Sequence, residues 1–240
     1  MLKMTTKNSN YSEGIPSGKT QHFTDDFLQF FRELEKNNRK EWFDENRKRY
    51  TKSVKEPFYA FVDHLIGLVN QYDPEVQITA KDAVMRINRD IRFSPDKTPY
   101  NVHYGAIISS AGRKDKSVPG LFIRFSPEYV GIFGGAHGID KHQLQKIRST
   151  IAADPEKFSK LISNKDFKSK FGEIQGEKHK RIPSEFKDLF EEQPLIANKE
   201  FYYVARLDPE NITSPNLDET IMNYWHAADP LRRFLSAALK

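Results

Sequence analysis

The chain has 240 residues, room for one large domain or two small ones at roughly 100–200 residues each. Lysine and arginine (38) exceed aspartate and glutamate (33) by five, a modest positive balance that suits anionic ligands better than a dedicated nucleic-acid coat. Cysteine is absent, which excludes disulfides, thiolate catalysis and cysteine-ligated zinc or iron–sulfur centres.

Residues 1–20 are polar, carry Gly14, Pro16 and Gly18, and lack the apolar stretch of a signal peptide. They read as a flexible tail ahead of a single domain over 21–240. Phe27, Phe30, Phe31 and Leu34 follow the spacing of an amphipathic helix, with Thr24 as its N-cap. Asn38 and Glu41 have capping-box spacing and open a second helix that holds Trp42, Phe43 and Tyr50. Pro57 either kinks this helix or starts another, and Phe58 to Val69 form the next apolar stripe. The segments 83–93, 102–110, 120–126, 129–134 and, much later, 201–207 read as short strands, with Ser126-Pro127-Glu128 as a hairpin turn. Helices over 140–152 and from Asp154-Pro155 precede the last strand, and two more are expected after Ser214-Pro215 and after Asp229-Pro230. The class is α+β: a mainly antiparallel sheet of about five strands packed by N-terminal and C-terminal helices. No apolar run approaches the ~18 residues of a membrane span, so a cytoplasmic protein without a membrane partner is expected.

Chemistry concentrates between Arg86 and Tyr100. On a strand, Ala83, Met85, Ile87, Ile91 and Phe93 share one face, while Arg86, Asn88, Asp90 and Arg92 share the other; Arg89 falls on the apolar side. Three guanidiniums and the Lys97 ammonium outnumber Asp90 and Asp96 by two charges. A guanidinium is a rigid fork of donors for carboxylate or phosphate, and crowded cations repel unless an anion lies between them. The segment therefore predicts a site in which Arg86, Arg89, Arg92 and Lys97 hold a phosphate- or carboxylate-bearing small molecule. Asp90 would orient the guanidiniums, and Tyr100 and His103 would line the same region.

Two other readings compete. In one, the arginines form a structural ion-pair network of an interaction scaffold, matched by carboxylates such as Asp44 or Glu45 and without an open pocket. In the other, basic residues of 39–49 and 178–181 join the 86–97 cluster on one face that binds nucleic acid in a salt-dependent way. A Lys97–Tyr100 acid–base pair is the one catalytic arrangement the spacing suggests, so enzymatic activity is left open. The run Gly131 to Gly138 leads into a helix start, where it either cradles an anion or serves a tight turn; it lacks the Gly-Lys-Ser/Thr ending of a phosphate loop. None of the seven histidines has metal-ligand spacing, so no metal site is assigned, the cofactor stays unknown, and His64 reads as a helix residue at the edge of the core.

The order Arg86, Arg89, Asp90, Arg92, Phe93, Lys97, Tyr100 resembles the signature of a bacterial family known as domain of unknown function 2461, Arg-x-x-Arg-Asp-x-Arg-Phe followed by Lys and Tyr. Asn38 with Trp42, Phe43 and Tyr50, the pair Gly134-Gly135, and Ile147-Arg148 are similar to it too, so the resemblance spans about residues 22–237. It implies no reaction, and no catalytic role is carried over from it.

Overall fold

The computed structural model describes residues 20–240; the tail expected over 1–20 lies, up to residue 19, outside the described residues. Helix α1 (Asp25–Lys36) starts at Thr24, with Asp25 and Asp26 in its first turn and Lys36 in its last, each on the favourable end of the helix dipole. Its apolar stripe of Phe27, Phe30, Phe31 and Leu34 is fully buried. Helix α2 (Lys40–Glu45) is entered through Arg39. Asn38 does not cap it. Its carboxamide instead donates to the Tyr100 carbonyl at 2.8 Å and accepts the Tyr100 N–H at 3.0 Å.

Helix α3 (Arg47–Arg49) runs through a π-helical stretch (Tyr50–Lys55) into α4 (Glu56–Asn70). The wider turns end just ahead of Pro57, which lies in the first turn of α4, has no N–H for the ladder and crowds the carbonyl four residues back. The short α5 (Ala80–Ala83) is closed by a Thr79–Asp82 capping box.

Strands β1 (Tyr104–Ile108), β2 (Leu121–Phe125), β3 (Val130–Ala136) and β4 (Phe201–Leu207) form one antiparallel sheet in that order. The sheet has four strands, not about five, because 83–93 is no strand. That segment touches the expected ladder only through isolated bridges, Val84 to Ala106 and Asn88 to Tyr100. Local bonds win there. Asp90 accepts the Arg92 N–H, Asp96 accepts the Thr98 N–H at 2.9 Å, and Pro95 and Pro99 have no N–H to offer. The expected apolar face fails with the strand: Ile87 is buried, but Phe93 is 93% exposed.

On the covered side of the sheet, Leu121, Ile123, Phe125, Ile132 and Tyr203 pack under the helices; the alternate residues stay half open. Gly135, at φ +99°, lets β3 run tightly beside Phe201, where a Cβ would sit 2.2 Å from a carbonyl oxygen. Helices α6 (Lys141–Ala153), α7 (Pro155–Ile162) and α8 (Lys165–Phe171) lie between β3 and β4. Asp140 caps α6 by accepting the N–H groups of His142 and Gln143, so the helix start behind the glycine run already holds a carboxylate.

The two closing helices expected from sequence are one: α9 (Leu217–Leu239) passes straight through Pro230. A proline inside a helix costs about 3 kcal/mol. Ile221 and Trp225 before it and Leu231 and Leu235 after it are all buried, and at about 1.5–3 kcal/mol per apolar side chain that burial outweighs the local cost. Asp229 pairs with Arg232 and Arg233 instead of capping. One contiguous cluster of buried residues runs from Phe23 to Ala238. Phenylalanines meet edge to face at its centre, as in Phe58–Phe125 (5.5 Å, 87°) and Phe23–Phe125 (5.6 Å, 80°). No helix among the described residues is long and apolar enough to cross a membrane.

Candidate functional site

Residues 84–101 run past the edge strand β1, with the Met85 N–H bonded to the Gly105 carbonyl at 2.9 Å. Beside this segment lies an open groove of about 530 Å³, bordered by Arg86, Arg89, Asp90, Arg113 and Lys114. Arg113 and Lys114 come from a single helical turn (Gly112–Lys114) seated against the end of α5. Gly112 makes that seat possible: its φ is +57°, and a Cβ would lie 2.7 Å from the Asp82 carbonyl oxygen.

The cations of the segment divide into two groups. Arg89 is bound by Asp96 and Thr98, and Asp96 is held down to about 2, chiefly by the Thr98 N–H and then by Arg89. Arg92 grips Asp90 with two parallel bonds of 2.9 and 2.7 Å in open solvent, which keeps the Asp90 carboxyl below its ordinary range. Lys97 donates to the Ile91 carbonyl at 2.9 Å. The loop 89–99 is thus wired to itself. Arg86 and Lys114, both exposed, have no carboxylate within 4 Å among the described residues; Arg113 has none either and donates to the carbonyls of Lys81 and Val84. The cations bordering the groove that form no ion pair among the described residues are Arg86, Arg113 and Lys114. The Asp82 carboxyl is held below its ordinary range by its bonds to Thr79 and then by the nearby charges of Lys114 and Arg113.

Tyr100 and His103 lie elsewhere. Tyr100 is turned into the core, its ring stacked on Phe43 at 4.0 Å and 16°, because Asn38 clamps its backbone from 62 residues away. With Lys97 on a backbone carbonyl and Tyr100 buried, the two form no acid–base pair. His103 meets the sheet: Arg124 donates to its Nδ1 at 3.0 Å. Burial, assisted by the Arg124 charge, pushes this imidazole down to about 4, so it is neutral at physiological pH.

The model of a family described as "Conserved hypothetical protein (DUF2461)" matches residues 26–234. The chain belongs to this family. No curated protein and no solved structure matches it. The span shared with DUF2461 contains the whole sheet and every residue bordering the groove.

In this DUF2461 fold the open face of the sheet carries a second hollow, of about 390 Å³, next to the groove. Phe122 and Phe133 stack at its base (4.9 Å, 29°), with Tyr202 and Val204 beside them, and Met85 borders both hollows. Sequence reading assigned neither this hollow nor Arg113 and Lys114 to a site. The alternation in 121–125 and 201–207 does place Phe122, Tyr202 and Val204 on one face, which was the available signal.

Other expected carboxylates and cations are engaged elsewhere. Asp44 pairs with Arg47, and Arg49 binds Asp26 and Glu33, each at 2.6 Å. Hence Asp44 does not neutralise the 86–97 segment, and two of the arginines in 39–49 already hold acids of their own. The fold also joins three residues that no sequence spacing relates: one ligand-capable atom each of His22, His64 and Asp218 lie within 4.8 Å of one another.

Proposed function

We propose that the protein binds an anionic small molecule, its phosphate or carboxylate in the groove and its apolar part on the open sheet face. The observation that carries this reading is the set of Arg86, Arg113 and Lys114, three cations on one groove that have no carboxylate within 4 Å among the described residues, with Asp82 as the one acid that Arg113 and Lys114 sense at longer range. Like charges gathered in this way are stabilised by an anion brought from outside, and guanidiniums are suited to oxyanions. Met85 joins the groove to the stacked Phe122 and Phe133, so a ligand with an oxyanion at one end and an aromatic ring at the other fits both hollows. In this reading Arg89 and Asp90 form the groove wall, and Arg92 and Lys97 stiffen the loop above it. Tyr100 anchors that loop to the core, while His103, bonded to Arg124 of β2, stands outside the groove.

Thermal-shift and calorimetric titrations with inorganic phosphate, phenyl phosphate and benzoate test the proposal. Phenyl phosphate should raise Tm more than inorganic phosphate does, and Arg86→Ala combined with Lys114→Ala should weaken its binding at least tenfold. Arg92→Ala should leave it nearly unchanged. If none of the three compounds shifts the unsubstituted protein, the reading fails. Binding that persists in the double variant also overturns it.

A further inference from the structure

We propose that His22, His64 and Asp218 form a binding site for a divalent first-row transition-metal ion, with zinc as its simplest occupant. The site is separate from the groove and does not depend on the anion reading. His22 lies in the lead-in to α1, His64 on α4 and Asp218 in the first turn of α9. His64 Nε2 stands 2.8 Å from Asp218 Oδ2, and the His22 ring lies 5.3 Å from the His64 ring at an interplanar angle of 31°. Two imidazoles and one carboxylate, with no thiolate, are a donor set matched to zinc or iron(II).

An ordinary ion pair accounts for His64 and Asp218 but not for the third member. His22 Nε2 is buried and has no hydrogen-bond partner among the described residues. A buried, unpaired ring nitrogen loses its hydration without replacement, and metal ligation is one way an imidazole in such a cluster gains a partner. Asp218 is also oriented from behind: its Oδ1 accepts the Glu219 N–H at 2.9 Å, leaving Oδ2 toward the cluster. Around a single zinc, bonds of about 2.0–2.2 Å place the ligand atoms roughly 3.3 Å apart. The His64–Asp218 pair, now at 2.8 Å, has to open by about 0.5 Å, and the other separations, all within 4.8 Å, have to close by at most about 1.5 Å. His22 lies ahead of α1 and Asp218 in the first turn of α9, so neither is held in the middle of a helix. The His64 side chain is 42% exposed, which gives an ion a path from solvent. Three protein ligands leave a coordination position open for water or a substrate oxygen, and the ion would tie the chain's lead-in to α4 and α9.

Full-length protein treated with a chelator and dialysed should be titrated with zinc chloride by calorimetry. One equivalent should bind, with Tm rising as zinc increases. His64→Gln and Asp218→Asn should each weaken binding at least tenfold, whereas His226→Gln, outside the cluster, should not. Absence of saturable binding, or equal binding by both ligand variants and the unsubstituted protein, overturns the proposal. Where a variant fails to fold, the visible spectrum of the cobalt(II)-loaded unsubstituted protein decides. Intense bands of a four- or five-coordinate ion support the site; the weak spectrum of the hydrated ion overturns it.

Discussion

Arg232 and Arg86 are the same side chain under opposite conditions. Arg232 is 8% exposed, bonded to Asp73 at 2.7 Å and to Asp229 at 2.6 Å, and its guanidinium lies 5.4 Å from the centre of the Trp225 ring. Arg148, likewise buried, is satisfied by the carbonyls of Ile196 and Asn198. Arg86 stands in water at the rim of a groove with no acid within reach among the described residues. At Arg232 and Arg148 the protein supplies the acceptors; at Arg86, on the groove rim, no carboxylate of the described residues lies within ion-pair distance. A charge taken out of water without a partner destabilises the fold, while a solvated one costs little and keeps its donors for a ligand.

The largest effect that follows is at Arg232. Arg232→Leu leaves Asp73 as a half-buried carboxylate without its cation; breaking one side of a buried pair costs about 3–5 kcal/mol, and the loss here falls toward the lower end because water still reaches Asp73. Urea unfolding should show this as a lower midpoint at unchanged slope. Adding Asp73→Leu removes the orphaned charge, so the double variant should be more stable than the sum of the single losses implies. Strict additivity would mean that Arg232 is not held by its acids, and the contrast with Arg86 would lose its basis.

A case between these extremes is Arg124, whose partner is neutral. Its bond to His103 exists only while Nδ1 is free to accept. His103 titrates at about 4 in the fold and near 6.5 in an unfolded chain. On acidification the unfolded chain takes the proton first, so this contribution is complete above about pH 6.5 and is lost as pH falls toward 4. At roughly 1.4 kcal/mol per pH unit it amounts to at most about 3 kcal/mol, less for the part of the ring that water reaches. Urea midpoints measured between pH 7 and pH 4 should fall less for His103→Gln than for the unsubstituted protein. Parallel curves would show that His103 is solvated and that Arg124 is in effect a second Arg86.

The sequence carries these differences unevenly. The stripe of Phe27, Phe30, Phe31 and Leu34 was legible because all its information lies within two helical turns, and the alternation of β2 and β4 because sheet faces repeat every second residue. The stretch 83–93 was misread because its apolar alternation is outweighed by Asp90 and Asp96 bonding nearby main chain and by Pro95 and Pro99. Tyr100 sits three residues from Lys97, yet its direction is set by Asn38 and Phe43, far upstream. Arg113 and Lys114 reach the groove by a turn whose seat depends on α5, and His22, His64 and Asp218 meet only once three helices have packed. Contacts of that kind have no spacing rule to betray them.

The smallest effect is the most discriminating. Arg86→Ala removes a charge from the groove without uncovering a carboxylate, and exposed substitutions of this kind usually change stability by no more than about 0.5 kcal/mol. Urea unfolding of this variant should therefore overlay the unsubstituted protein in buffer free of phosphate. The same comparison with phenyl phosphate present should separate them, because ligand bound only to the folded state adds stability in proportion to the logarithm of its concentration. A loss above about 1 kcal/mol without ligand would instead place Arg86 with Arg232, as a residue that the fold itself requires.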